Sequence, residues 1–310
     1  MNATVDSAPL QAQAALAGSN IEDISSLWRG RIDARLVGIV DAGSDGCCRQ
    51  LDSAMRYSLL APGKRVRPLL AILAALDFDR PAEPILDFGC ALEMVHCASL
   101  MLDDLPCMDD ARMRRGLPAC HLHFGEATTM LAAIALLNQA FWVLSRSQAL
   151  PDPLRAGLVA RLSKAVGTAG LVSGQSRDLS ERGRLVDDEQ LRRINHQKTS
   201  VLFELALVGG GLICDLGPRR LARLEAYAHH VGQAFQAADD LLDYGRATAD
   251  SGKDIGADRG KAGSIHDLGE PALRQRLAAE MGQTGTVLRE LSLGGGLLDG
   301  YVRALFARFD

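Results

Sequence analysis

The sequence predicts an all-α protein built as a single large helical bundle around a central cavity. Three observations carry that reading. The 310 residues are 47% hydrophobic but only 5% aromatic, and a surplus of Ala and Leu over aromatic residues favours helix over strand. Apolar positions recur at helical spacing, as at Ile85, Phe88, Leu92, Val95 and Leu102, a stripe that faces a core. Finally, two groups of aspartates, Asp103/Asp104/Asp109 and Asp239/Asp240/Asp243, are embedded in otherwise apolar helix, and carboxylates so placed converge on one cavity if their helices face each other.

Taken in order, residues 1–20 lack a basic start and an apolar centre, so they read as a weakly ordered tail and not as a secretory signal. The helical domain then spans 21–310. A loosely amphipathic helix runs from Ile21 to about Val40 and is broken by DAGSDG at 41–46. A second runs from about Gln50 to Pro62-Gly63. Next comes GKRVRP at 63–68, where Pro68 suits the first turn of the following helix. Lys64, Arg65 and Arg67 therefore gather where free backbone N–H groups point, an arrangement that binds anions.

The helix over 84–102 places His96 and Asp103 on one face with Ser99 between them. A lone histidine in such a helix is more often a core residue than a functional one, but its alignment with the aspartates reverses that prior. Asp103, Asp104, Asp109 and Asp110 fall within eight positions, and their mutual repulsion calls for a cation between them. Magnesium, which prefers hard carboxylate oxygens and keeps sites free for phosphates, fits that demand. A solvated acidic helix end is the plain alternative, and it would win if the second cluster did not exist. Pro106 prevents a smooth helix here, so Asp109 is expected on a looped continuation.

Two long helices are expected over 126–148 and 154–182, the second carrying Gln175 and Asp178 on one face. ERGRLVDD at 181–188 reads as a turn or short lid. A helix from about Glu189 to Cys214 carries Lys198 and Thr199, with its end weakened by Gly209-Gly210-Gly211. The next, Arg219 to Tyr244, places Asp239 and Asp243 on one face and Asp240 beside it. Lys253, Asp254 and Lys261 follow in a glycine-spaced loop able to close over a phosphate. Residues 271–308 return to helix, interrupted at Gly294-Gly295-Gly296.

The composition excludes several classes. A net charge of −4, with no basic stripe interleaved with aromatics, excludes a nucleic-acid partner. No run reaches the roughly 18 uninterrupted apolar residues of a membrane span. The best candidates, 131–144 and 201–213, read as buried core helices. Seven cysteines without a CxxC pair suit reduced thiols in a cytoplasmic protein. CHLH at 120–123 lacks a second ligand pair at zinc spacing and reads as a loop with incidental histidines. Lysine usage is more pointed: of five lysines, four (64, 198, 253 and 261) lie in or beside the motifs above. In an arginine-rich chain, a retained lysine suggests a point charge aimed at phosphate.

DDLPCMD, followed by RRG at 114–116, resembles the first aspartate-rich motif of the trans-prenyltransferases, the isoprenyl diphosphate synthases; FQAADDLLD resembles their second. GKRVRP, His96, Gly174-Gln175, Lys198-Thr199 and Lys253-Asp254 follow the family's order, and the likeness runs from about Leu60 to the C-terminus. HCASLMLDDLPCMD is most similar to the bacterial geranylgeranyl diphosphate synthases. The resemblance implies a homodimer with three Mg²⁺ ions, held by Asp103, Asp109 and Asp239 and supported by Asp104, Asp240 and Asp243. It implies that Lys64, Arg67, His96 and Arg115 hold isopentenyl diphosphate. Arg114, Lys198 and Lys253 would hold the allylic partner (dimethylallyl, geranyl or farnesyl diphosphate), with Thr199 and Gln236 in the same substrate site. Ala98 and Ser99, small residues below Asp103 where farnesyl-length relatives often carry an aromatic, imply geranylgeranyl diphosphate as the product.

Departures and rivals are also legible. The first motif has two residues more than the short DDxxD form, and after Lys261 the chain reads AGSIHDLG where relatives carry a Thr-rich turn, which puts that loop's geometry in doubt. A farnesyl or longer-chain synthase is the alternative product class. A terpene cyclase needs no second diphosphate site, and a squalene-type synthase matches these motifs less well. A di-iron bundle needs two Glu-x-x-His pairs, of which Glu93/His96 is one. A non-catalytic subunit of a heteromeric synthase could lose the aspartates that this chain retains.

Overall fold

The computed structural model describes residues 20–43, 48–181, 188–249 and 265–309, and these are helical almost throughout. The helices are α1 (Ile21–Gly43), α2 (Arg49–Leu59), α3 (Val66–Asp77), α4 (Leu86–Asp103), α5 (Cys120–Phe124), α6 (Glu126–Arg146), α7 (Asp152–Val166) and α8 (Leu171–Ser180). Then follow α9 (Asp188–Asn195), a π-helical turn His196–Ser200, α10 (Val201–Ile213), α11 (Pro218–Ala249), α12 (Ile265–Glu290) and α13 (Leu297–Phe306).

The first helix shows why such a chain folds this way. Asn20 accepts a hydrogen bond from Asp23 N at 2.9 Å, an N-cap that satisfies one of the orphan donors of α1. Ile24, Trp28, Ile32, Leu36 and Ile39 then fall on one buried face. The central element is α4. Phe88, Cys90, Leu92, Met94, Val95, Cys97 and Ala98 are all buried around its circumference, as expected of a helix enclosed by others. It packs against α1, α2, α3, α6 and α10, while α11 packs on α10 and α12. The last helix is tied back by Asp77, whose two carboxylate oxygens accept from Leu297 N at 2.8 Å and Leu298 N at 2.9 Å.

Several elements differ from the sequence expectation. A two-stranded antiparallel ribbon, β1 (Met113–Arg114) with β2 (Leu117–Pro118), interrupts the helices. Arg115 (φ 53°) and Gly116 (φ 79°) both lie in the left-handed region, the backbone of a two-residue hairpin turn; the dipeptide Arg-Gly gives only half of the usual turn signal. The helix expected over 154–182 is two helices. Gly167 stops the first, and a Cβ on Gly170 would collide with the Ala165 carbonyl. CHLH is a short helix, not a loop, with His121 buried. Gly209-Gly210-Gly211 does not fray α10. These residues are buried in its last turn, and side chains there would strike Phe88, Ala71 and Leu221, so glycine allows close helix contact. Helices α4 and α6 are long and apolar enough to cross a membrane by length and composition. Helix α6, expected to be wholly core, buries Ala132, Ala133, Leu136 and Ala140 on one face and exposes Leu131, Ile134 and Trp142 on the other, each more than half accessible.

Candidate active site

The acidic end of α4 is the starting point. The helix stops at Asp103, as Pro106 requires, and the chain turns back on itself: Asp109 N donates to Asp103 O at 2.9 Å and Asp110 N to Leu105 O at 3.1 Å. Asp103 and Asp109 are thereby half-buried side by side, while Asp104 is buried on the other flank of the helix. Arg114, from β1, lies over Asp104, its Nε 3.1 Å from both carboxylate oxygens. Burial pushes the Asp103 carboxyl up to about 6; Asp109 and Asp104 add to the rise, while Lys198 and Arg114 oppose it.

The basic side is built at the N-terminus of α3. Arg65 occupies the left-handed region (φ 48°) and is buried. Its guanidinium donates to Asp33 Oδ1 at 2.7 Å, Glu93 Oε1 at 3.3 Å, Leu59 O at 2.9 Å and Ala61 O at 3.2 Å. Arg65 thus clamps the loop and shapes the site without facing it. Arg67 stacks over the Phe203 ring at 4.7 Å. Burial lowers its pKa to about 10, with Arg115 acting in the same sense and Glu93 and Asp239 against it. Lys64 is exposed, and its pKa is lowered by burial and by Arg308 while Asp239 raises it. His96 is held neutral, far below the usual imidazole range, by burial and by Arg67, Arg115, Arg114 and Arg65.

Glu93 was missed as a site residue by sequence reasoning, which weighed it only as half of an iron motif. It is 2% exposed, and Oε1 meets Arg65 and, at 3.8 Å, Arg115, while its charge also reaches Arg67. One buried carboxylate therefore gathers three arginines beneath the predicted diphosphate site. The available signal was its place one helical turn before His96.

The third side comes from the π-helical turn. Lys198 Nζ donates to Asp178 Oδ2 at 2.7 Å, Thr199 Oγ1 to Gln236 Oε1 at 3.3 Å, and Gln236 Nε2 to Asp240 Oδ1 at 2.8 Å. The turn is wedged between α8 and α11, because a Cβ on Gly174 would lie 2.6 Å from Lys198 N and one on Gly232 would strike Ser200. Gln175 meanwhile donates to Met108 Sδ at 3.8 Å, tying α8 to the acidic turn. Asp240 is buried and Asp239 exposed.

Cations lie near both acid clusters: Asp103 feels Lys198 and Arg114, Asp239 bears on Lys64 and Arg67, and His96 feels both of those arginines, Arg114 and Arg67. Ser99 is half-buried below Asp103, its hydroxyl bonded to His96 O at 2.9 Å, and Ala98 is fully buried beside it. The side chain of Asp243 lies outside the described residues, as do Lys253, Asp254, Lys261, residues 1–19 and most of the 181–188 segment. The donor set suits Mg²⁺: it is all oxygen, and a dication beside the partly buried Asp103 would favour its anion, which burial disfavours. Asp104 already has Arg114 as its partner.

Among comparisons with known proteins, the polyprenyl synthetase family model matches residues 48–263. The geranylgeranyl diphosphate synthase of Pantoea ananas is 40% identical over 82% of this chain and 84% of its own length. The farnesyl diphosphate synthase of Geobacillus stearothermophilus is 35% identical over 84% of this chain and 89% of its own. Among solved structures, an FPP/GFPP synthase from Zymomonas mobilis superposes with a TM-score of 0.81 at 31% identity, covering 92% of this chain and 98% of that one.

Proposed function

The chain belongs to the polyprenyl synthetase family and is a prenyltransferase, and on that premise we propose that it condenses isopentenyl diphosphate head to tail with an allylic diphosphate, giving geranylgeranyl diphosphate. The observation that carries the reading is the pairing of two carboxylate clusters with two separate sets of cations. Two diphosphates need two such sets, whereas a cyclase needs one.

In this reading Lys64, Arg67, Arg115 and neutral His96 take the isopentenyl diphosphate, and Arg114, Lys198 and Lys253 take the allylic diphosphate, with Thr199 and Gln236 positioning Asp240 beside it. Asp103, Asp109 and Asp239 would hold Mg²⁺, three ions in all, with Asp104, Asp240 and Asp243 as supports. When bound, the ions supply positive charge to the departing diphosphate. The arginines and lysines stabilise the same leaving group from the protein side. The apolar helical interior excludes water from the allylic cation, which would otherwise be quenched. The double bond of isopentenyl diphosphate then attacks, and a proton leaves to the diphosphate released, which acts as the base. Ser99 and Ala98, both small, leave depth for a chain of geranylgeranyl length.

We place the enzyme in the cytoplasm and propose a homodimer that covers Leu131, Ile134 and Trp142 of α6, an apolar face of the kind that marks an interface. The test is direct. The purified protein is given isopentenyl diphosphate, each allylic primer and Mg²⁺, the products are sized, and the mass in solution is measured by sedimentation. Geranylgeranyl diphosphate that disappears with excess EDTA, from a species of twice the chain mass, supports the proposal. Turnover in EDTA, or a cyclised product, overturns it.

A further inference from the structure

Outside the aspartate-lined site, His196 on the π-helical turn, Glu204 on α10 and His229 on α11 bring one ligand atom each to within 4.8 Å of one another. Glu204 leans back toward the start of its helix, as side chains do. Its Oε1 lies between two imidazoles, 3.3 Å from His196 Nδ1 and 3.9 Å from His229 Nδ1. His196 Nδ1 is buried and has no hydrogen-bond partner, so a lone pair or proton is aimed at the cluster and left unsatisfied, an arrangement that ordinarily demands a partner. We propose that His196, Glu204 and His229 form a zinc-class divalent metal site, with a fourth position for water, distinct from the Mg²⁺ site. The proposal stands independently of the reading of the aspartate cavity.

Donor chemistry and spacing both fit. Two imidazoles and one carboxylate are a borderline set that favours Zn²⁺ or Co²⁺ over Mg²⁺, which takes oxygens. Ligand bonds of about 2.1 Å in a tetrahedron put ligand atoms about 3.4 Å apart. Of the three separations one is already 3.3 Å, a second is 3.9 Å and the third lies within 4.8 Å; the last two close by side-chain rotation, since 46% of the His229 side chain is accessible. The protonation states also suit metal binding. Burial lowers both histidine pKa values, so the rings are neutral ligands at pH 7, while burial and Glu225 raise that of Glu204 to about 7.

The ion would brace an element that the active site uses. His196 begins the π-helical turn carrying Lys198 and Thr199, and an ion shared with Glu204 and His229 would tie that turn to α10 and α11. Adjacent His230 is held by Glu280 at 2.7 Å, which keeps α11 in register with α12.

The test uses the full chain without a histidine tag, stripped of metal and dialysed into buffer with millimolar Mg²⁺. One equivalent of Zn²⁺ should bind per chain, and Co²⁺ should give the visible bands of a four-coordinate nitrogen–oxygen site. Zn²⁺ should also raise Tm by several degrees. His229→Gln, on a partly exposed helix face, keeps the fold, as circular dichroism reports, and weakens Zn²⁺ binding at least tenfold; Glu204→Gln does the same. No zinc uptake in the presence of Mg²⁺ overturns the proposal. Uptake unchanged in His229→Gln also overturns it, because the ion then resides elsewhere, for instance on cysteine.

Discussion

The guanidinium of Arg114 lies on the buried carboxylate of Asp104, its Nε equidistant at 3.1 Å from both oxygens. The pair fixes the hairpin against the end of α4. Removing one partner leaves the other uncompensated. Arg114→Gln and Asp104→Asn are each expected to cost about 1–2 kcal/mol in urea unfolding, less than for a fully buried pair because Arg114 is 40% accessible. The double variant should cost less than the sum. In kinetics, Arg114→Gln should raise the KM for the allylic substrate and leave that for isopentenyl diphosphate nearly unchanged.

Glu93 acts through the arginines it gathers. Glu93→Gln removes a buried charge facing Arg65, itself only 2% accessible, and is expected to cost about 3 kcal/mol of stability. It also loosens Arg67 and Arg115, so the KM for isopentenyl diphosphate should rise roughly tenfold, equivalent to about 1.4 kcal/mol, with the allylic KM unmoved. Equal effects on both substrates would make Glu93 a general structural residue.

Chain length should respond to the two small residues unequally. Ser99 is half-buried and Ala98 wholly enclosed. Ser99→Phe is therefore expected to shorten the product toward farnesyl diphosphate at little structural cost. Ala98→Tyr should shorten it too but also lose about 1–3 kcal/mol through overpacking. Product sizing and thermal unfolding of both variants check this, and unchanged length in both refutes the floor model.

Stability of the metal-free protein should depend on pH through Glu204. Its folded-state pKa, about 7, exceeds the 4.5 usual for a glutamate, so the folded protein holds a proton that the unfolded chain releases between those values. The stabilisation is present below about pH 4.5 and is lost as pH rises through 7. Wild type should thus lose on the order of 2 kcal/mol relative to Glu204→Gln across that window. The comparison with Glu204→Gln isolates the carboxyl, because the lowered pKa values of His196 and His229 act with the opposite sign. Denaturant titrations of both proteins at pH 5 and 7.5 measure it.

Asp77 replaces the missing start cap of α13. Asp77→Ala removes two acceptors from Leu297 and Leu298 N–H groups and should lower stability by about 1–2 kcal/mol. Lys64, whose carbonyl Tyr301 reaches from α13 at 3.4 Å, would feel the loosened helix. Thermal unfolding gives the first effect, and the KM for isopentenyl diphosphate the second.

What the sequence by itself determined is local and chemical. Composition and apolar spacing dictate helices, Pro106 dictates where α4 ends, and the ordered aspartate and lysine motifs are enough to place the chain in its family, since these depend on neighbours within a turn or two. Only tertiary structure decided which like residues differ in role. Asp104 and Asp240 are buried against Arg114 and Gln236, whereas Asp103 is only partly buried and Asp239 is exposed. Arg65 is consumed by the loop, and Glu93 becomes the anchor of three arginines. The glycines of α10 tighten a contact that the local sequence reads as a weak helix end. Each of those outcomes depends on partners tens of residues away, and a carboxylate's charge, cost and use follow from what faces it after folding, not from its neighbours in the chain.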